Sequence, residues 1–273
     1  MRTETSTASR LNMIDTLRGF AIISMIIYHS VWICAFFGLG LSFDTLYGPV
    51  CTFWERSICM GFIFISGFSF SLGKNHFKNA LTAFSLGILI TLTTSLLVPE
   101  IKIVFGILTF LGTACFLMIL FDKVFCKVSS YYNIILAIVF LILFIIFYHI
   151  NKGILGVGDF AALELPKNLY NGYFMTFLGF TDPGFYSADY FSLFPWIFLY
   201  ILGYLSEKIT RNTAFRSSVL TKGIPAISFL GRHSLIIYIL HPIIIYILVS
   251  TGTVLFNVNG DCFLTPLTAN QLN

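Results

Sequence analysis

Seven stretches of this chain run without a charged residue for the thickness of a bilayer or close to it: Gly19–Phe43, Ser57–Gly73, Asn79–Pro99, Ile103–Phe121, Val128–Asn151, Tyr190–Ser206 and Ser234–Gly260. A helix that crosses a hydrocarbon core needs about 17–25 residues, because each residue advances it about 1.5 Å. The backbone polar groups of such a segment must bond to one another, so helix is the form these stretches predict. The second and sixth are the shortest and are expected to tilt less or to be partly shielded by protein. Pro99-Glu100-Ile101-Lys102 leaves room only for a tight turn, so the third and fourth helices are expected to form an antiparallel hairpin.

Composition agrees. Only 10% of the 273 residues are charged, against about 25% in an ordinary soluble domain, and mean hydropathy is +0.89. The 31 Phe and 13 Tyr suit a lipid-facing bundle with interfacial aromatics. The expected fold class is therefore all-α: a multi-pass transmembrane helical bundle of about seven spans, forming a single domain over 1–256 with a polar tail at 257–273. The first 18 residues are polar and lead into a long apolar segment. A cleavable signal peptide has an apolar core of about 7–15 residues, so this first segment is expected to be retained.

The basic residues set an orientation. With the N-terminus in the cytosol, the inner segments carry 12 Lys and Arg (at 2, 10, 18, 74, 78, 123, 127, 208, 211, 216, 222 and 232) and the outer ones carry 4 (at 56, 102, 152 and 167). The net charge of +4 is spread over loops, so it reads as a topology signal and no nucleic-acid partner is expected. The expected location is the plasma membrane. The long outer segment 153–189 is rich in Gly and aromatic residues. Its Leu169–Phe180 stretch reads equally as a re-entrant or interfacial helix and as part of an ordinary loop, and a further span hidden there would make eight. The six cysteines show no metal-ligand spacing, and a Cys51–Cys262 disulfide is a guess resting only on a shared outer side.

Polar residues within apolar helices are costly and mark functional candidates. On an ideal helix Arg18 and His29 lie within about 20° of one face and about 16 Å apart, and Asp15 lies about 40° from His29. His29 reads as a general base or as a packing histidine bonded to a neighbouring helix. Arg18 reads as a fork for phosphate or as a topology-setting charge paired with Asp15. Lys74 and Lys78, with His76, stand at an inner face, where they help hold an anionic cofactor or simply obey the positive-inside rule. The Ser66-Gly67 pair reads best as a packing notch. In the last helix Ser234, Tyr238 and His241 fall within about 60° of one face, with Pro242 bending the helix behind them. This second stripe is either helix glue or, together with the first stripe and Arg232, the lining of one cavity open to the cytosol. Asp189, at the outer mouth of the sixth stretch, reads as a contact for an extracytoplasmic acceptor or as a solvated loop acid.

The ordered set Ile14-Asp15-Thr16-Leu17-Arg18-Gly19, the Arg18-x10-His29 spacing, Phe62-Ile63-Phe64-Ile65-Ser66-Gly67, Ile90-Thr91-Leu92-Thr93, Phe105-Gly106-Ile107-Leu108, Asp189-Tyr190-Phe191 to Pro195-Trp196, and Gly231-Arg232-His233-Ser234-Leu235 to His241 resembles a known family. It is similar to the bacterial heparan-α-glucosaminide N-acetyltransferase-like proteins, within the membrane acyltransferase superfamily that includes acyltransferase-3. The resemblance covers almost the whole chain. It implies transfer of an acetyl or other acyl group from cytosolic acyl-CoA, such as acetyl-CoA, to an acceptor on the far side of the membrane, often a sugar or glycan. It makes Arg18 the arginine and His29 the histidine of the Arg-x10-His motif. The lysosomal relative places its histidine in the luminal region after the first helix. This chain has no histidine between His29 and His76, so that role falls to His29 itself. Thr109 stands where relatives often carry His or Gln.

The expectation is thus a membrane acyltransferase. Its candidate catalytic residues are His29, His241 and Asp15. Arg18, Arg232, Lys74 and Lys78 are expected at the phosphates of acyl-CoA, and Ser234, Tyr238 and Asp189 at the oxyanion or acceptor. No metal is implied. The expected partners are the lipid bilayer, a sugar or glycan acceptor and, as an open option, a second copy of the chain in a homodimer. The rival class is a small-molecule transporter or a non-catalytic membrane protein, although the paired halves common in carriers are not visible.

Overall fold

The computed structural model describes residues 10–40, 42–125, 129–157 and 163–255. The chain is helical almost throughout. In order, the helices are α1 (Asn12–Phe36), α2 (Phe43–Leu46), α3 (Pro49–Phe70), α4 (His76–Leu97), α5 (Ile107–Phe125), α6 (Ser130–Phe147), α7 (Tyr173–Leu178), α8 (Trp196–Thr210), α9 (Pro225–Arg232) and α10 (Ser234–Leu255). Two short strands, β1 (Ile154–Leu155) and β2 (Leu163–Glu164), pair antiparallel between α6 and α7. Five helical segments are long and apolar enough to cross a membrane: Asn12–Phe36, His76–Leu97, Ile107–Phe125, Tyr131–Lys152 and Ser234–Leu255. Cys262 and the tail at 257–273 lie outside the described residues.

The chain forms two compact units, one made of the residues up to Ile65 together with those from Thr210 on, the other of Ser66–Ile209. In the first, α1 packs along α9 and α10. Helix α1 begins seven residues ahead of the uncharged stretch and takes Asp15 and Arg18 into its first two turns. Their mutual ion pair makes that affordable. Its C-terminus closes with Gly38 in the left-handed region (φ 72°), where its N–H donates to the Ala35 carbonyl. A glycine carries no steric cost in that conformation.

The α1–α9 contact is close enough to require glycine on both helices. A Cβ on Gly19 would lie 2.1 Å from the Ile227 carbonyl oxygen, and one on Gly231 would lie 1.8 Å from that of Asp15. Small residues let helix backbones approach in this way, and the approach brings polar groups together. The Thr16 and Ser228 hydroxyls meet at 2.7 Å, the Ile224 N–H donates to Thr16 Oγ1 at 3.0 Å, and Asn12 Nδ2 donates to the Thr221 carbonyl at 3.2 Å. Pro225 at the first turn of α9 removes a donor that a helix start would leave unpaired.

In the second unit α4 and α5 form the expected hairpin, joined through a single 3₁₀ turn at Pro99–Ile101. Gly87 lies against Thr109 and Gly112 against Phe84, again at distances a Cβ would not permit. Helix α8 is 15 residues long and starts at Trp196, later than the expected Tyr190. The residues ahead of it are not helical, and their backbone bonds go elsewhere. Phe191 N–H donates to Phe105, Leu193 N–H to Phe177, and Phe194 N–H to Leu178.

The segment 153–189 is neither a plain loop nor, among its described residues, a span. Helix α7 has six residues, too few to cross a bilayer. It is held by Asp182, whose carboxylate accepts from the Gly172 and Gly184 N–H groups at 2.8 Å each. Those two bonds hold the Asp182 carboxyl below its usual range. Thr176 accepts from the Asp182 N–H at 3.0 Å, and the Tyr190 hydroxyl donates to the Thr176 carbonyl.

Candidate functional site

At the first turns of α1, Asp15 is 7% exposed and carries two arginines. Arg10 Nε lies 2.8 Å from Oδ2, and Arg18 reaches Oδ1 at 3.5 Å. Helix α9 ends on the same ground, because Gly231 touches the Asp15 carbonyl, and Arg232 follows as an exposed residue. This end of the first unit is therefore a positively charged mouth in which one buried carboxylate orients two guanidinium groups. Asp15 is about 21 Å of helix rise from His29. Its contacts make it a partner for arginines, at the opposite end of the stripe that it shares with His29.

His29 meets His241 as the two sequence stripes suggested. His29 Nδ1 lies 2.6 Å from His241 Nε2, with the ring planes 10° apart. Helix α1 supplies one ring and α10 the other. On its far edge His241 Nδ1 lies 3.0 Å from the Ile237 carbonyl one turn back. That contact assigns the protons of the neutral pair. A carbonyl only accepts, so His241 Nδ1 carries the hydrogen and its Nε2 is a lone pair. His29 Nδ1–H then donates to that lone pair, and His29 Nε2 is left with its own. The second histidine thus sets the tautomer of the first, as an outer partner does for a catalytic or metal-bound imidazole. The pair resembles a histidine held by a carboxylate, with a neutral acceptor in place of the anion.

Tyr238 and Ser234 follow the predicted face. Ser234 is buried at the start of α10, and the Tyr238 ring centroid is 5.9 Å from that of His241. Tyr238 packs with Cys51 and Trp54 against a buried cluster of Met25, Tyr28 and Ile58. Helix α10 runs through Pro242, which has no N–H to offer the Tyr238 carbonyl one turn earlier.

Lys74, Lys78 and Asp189 belong to the second unit. Lys74 and Lys78 are exposed, in the turn before α4 and in its first turn. Asp189 is not a bare loop acid. Its Oδ2 accepts from the Ile107 N–H at 3.3 Å, at the start of α5, while Ser187 Oγ accepts from the Val104 N–H at 2.9 Å. The Phe105-Gly106-Ile107 and Asp189-Tyr190-Phe191 motifs, far apart in sequence, are clasped to each other by these bonds and by Phe191 N–H donating to Phe105. Gly106 fits because a Cβ there would lie 3.1 Å from Asp189 Oδ2. Thr109 is buried with its hydroxyl against Gly87.

Two further pairs escaped the sequence reading. Tyr28 OH donates to Glu55 Oε2 at 3.3 Å, and Trp54 Nε1 donates to Ser24 Oγ at 2.8 Å. A carboxylate one residue after a tryptophan, just ahead of an apolar run, was the available signal for both.

A family profile described as "Heparan-alpha-glucosaminide N-acetyltransferase, catalytic" matches residues 10–243, from the first arginine of the charged mouth to just past the second histidine. Comparison with curated proteins gave no match, and comparison with solved structures gave none either.

Proposed function

The chain belongs to the heparan-α-glucosaminide N-acetyltransferase catalytic family, which makes it a membrane acetyltransferase of the acyl-transfer kind, and from that premise we propose how it works. It takes an acetyl group from cytosolic acetyl-CoA and passes it to a sugar or glycan hydroxyl or amine on the far side of the plasma membrane. The uncharged stretches Ser57–Gly73 and Tyr190–Ser206 complete seven spans, with the N-terminus in the cytosol, a reading that the excess of basic residues on that side supports. Arg18 and Arg232, at the charged mouth, receive the phosphates of the donor, and Asp15 holds Arg18 in place. Lys74 and Lys78 add positive charge on the cytosolic side.

The observation that carries this reading is the His29–His241 pair. With Nδ1–H bonded to His241, His29 has only Nε2 with which to act, and that atom is a base. As the acceptor oxygen or nitrogen attacks the thioester carbonyl, His29 Nε2 takes its proton. The C–S bond then breaks, the acetyl group stays on the acceptor, and the proton returns from His29 to the departing thiolate as CoA-SH. Base catalysis of this kind contributes about 10²–10⁴-fold. His241 keeps the ring oriented throughout, and Tyr238, beside His241, is the donor for the oxyanion, with Ser234 one turn further along the same helix face.

The test is release of CoA from acetyl-CoA by detergent-purified protein, with and without glucosamine as acceptor. Turnover that disappears in His29→Ala is expected. A wild-type protein that neither binds nor turns over acetyl-CoA would refute the reading.

A further inference from the structure

The catalytic account leaves Glu55 unused, and its surroundings are unusual for a carboxylate. It sits in the second turn of α3, half-buried, beside the apolar cluster of Met25, Tyr28 and Ile58. Among the described residues its carboxylate receives one hydrogen bond, from Tyr28 at 3.3 Å, and forms no ion pair. An ionised carboxylate has about four lone-pair sites, so most of its capacity is unspent. Burying such a group partway is costly unless something else bonds to it.

The side chains around Glu55 are fixed in place. Trp54 is anchored by its bond to Ser24, and its ring meets that of Tyr28 edge-on at 85°, with centroids 5.5 Å apart. Tyr28 is the residue before His29, and their ring centroids are 6.0 Å apart. Tyr238, beside His241, packs on the same cluster. A continuous set of aromatic faces thus leads from Glu55 to the histidine pair. It lies about 15 Å of α1 rise from Arg18, toward the end opposite the charged mouth.

We infer that Glu55, supported by Tyr28 and flanked by Trp54, is the residue that docks the acceptor for His29. It accepts hydrogen bonds from hydroxyl groups of the acceptor that do not react, while the Trp54 and Tyr28 rings offer apolar faces to its C–H surface. It is a positioning and specificity residue and takes no proton in the transfer. The inference rests on the acetyl-transfer reading of the His29–His241 pair.

Steady-state kinetics with acetyl-CoA and glucosamine test it. Glu55→Gln keeps the shape and removes the charge. It is expected to raise KM for glucosamine about tenfold or more, the size of a lost hydrogen bond to a charged group, while KM for acetyl-CoA changes less than about twofold. Glu55→Asp should recover part of the loss. Arg56→Gln, one residue on, should leave both constants unchanged. If Glu55→Gln fails to fold, Tyr28→Phe keeps the ring, removes the supporting donor and should show the same split at a smaller size. Unchanged acceptor KM in these variants, or equal rises in both constants, overturns the inference while the wild-type turnover still stands. A wild-type protein with no acetyl-CoA turnover overturns the transfer reading and this inference with it.

Discussion

His29 and His241 are 212 residues apart in the chain and 2.6 Å apart in space, and the hydrogen bond between them leaves His29 Nε2 as the one basic nitrogen of the pair. A base of defined tautomer is therefore built from two neutral rings, one on α1 and one on α10, with a backbone carbonyl as the final anchor.

The two histidines should be unequal under mutation. His29→Ala removes the base, and CoA release should fall by about 10²–10⁴-fold. His241→Ala leaves the base but frees its tautomer and strands the His29 Nδ1–H, at a stability cost of about 1–3 kcal/mol. A smaller loss of turnover with a lower melting temperature in detergent is expected, and equal losses would show that both rings react directly.

Arg18 and Asp15 should separate donor binding from chemistry. Arg18→Gln is expected to raise KM for acetyl-CoA about tenfold with kcat little changed, because phosphate contacts are alike in ground and transition states. Asp15→Asn should shift the same constant in the same direction by less, since it leaves Arg18 present without its counter-ion. A loss confined to kcat would instead place Asp15 in the chemical step.

The α1–α9 contact should tolerate no added methyl. Gly231→Ala would put Cβ 1.8 Å from the Asp15 carbonyl oxygen, so the helices must part. Overpacking of this kind costs about 1–3 kcal/mol. A lower melting temperature and reduced yield in detergent should follow, whereas Gly61→Ala, with open space around it, should change neither.

Asp189→Ala should destabilise the second unit through α5. The carboxylate bonds to the Ile107 N–H at the helix start, and loss of such a cap costs about 1 kcal/mol. Thermal melting of the variant checks this.

The loop around α7 should loosen in acid. The Asp182 carboxyl is held below its ordinary value by the Gly172 and Gly184 N–H groups. A depressed folded value means the stabilisation is present above about pH 4, the unfolded value, and is lost as pH falls through the folded one. Amide exchange at Gly172 and Gly184 should therefore quicken below pH 4 in the wild type and be pH-insensitive there, beyond intrinsic chemistry, in Asp182→Asn.

Charge-free runs of bilayer length required helices, and Pro99–Lys102 required a hairpin, because both follow from local backbone chemistry and chain reach. The helical spacing of Arg18 to His29 and of Ser234 to His241 marked two polar faces for the same reason. Helix α9 escaped notice because eight residues with Pro, Gly and Ser carry no bilayer-length signal. Its position depends on Gly19 and Gly231 admitting another backbone. Asp189 could be read as a solvated acid or an acceptor contact, yet its geometry caps α5, since its partner is an N–H from a distant motif. Glu55 and Tyr28 had no common period to link them.

The sequence by itself determined that the long uncharged runs are largely helical and which faces of α1 and α10 are polar, because both are set by spacing along one chain. The tertiary structure decided which polar faces meet and that His241 orients His29. A hydrogen bond between helices depends on distances and angles in space, and the order of residues along a chain does not contain them.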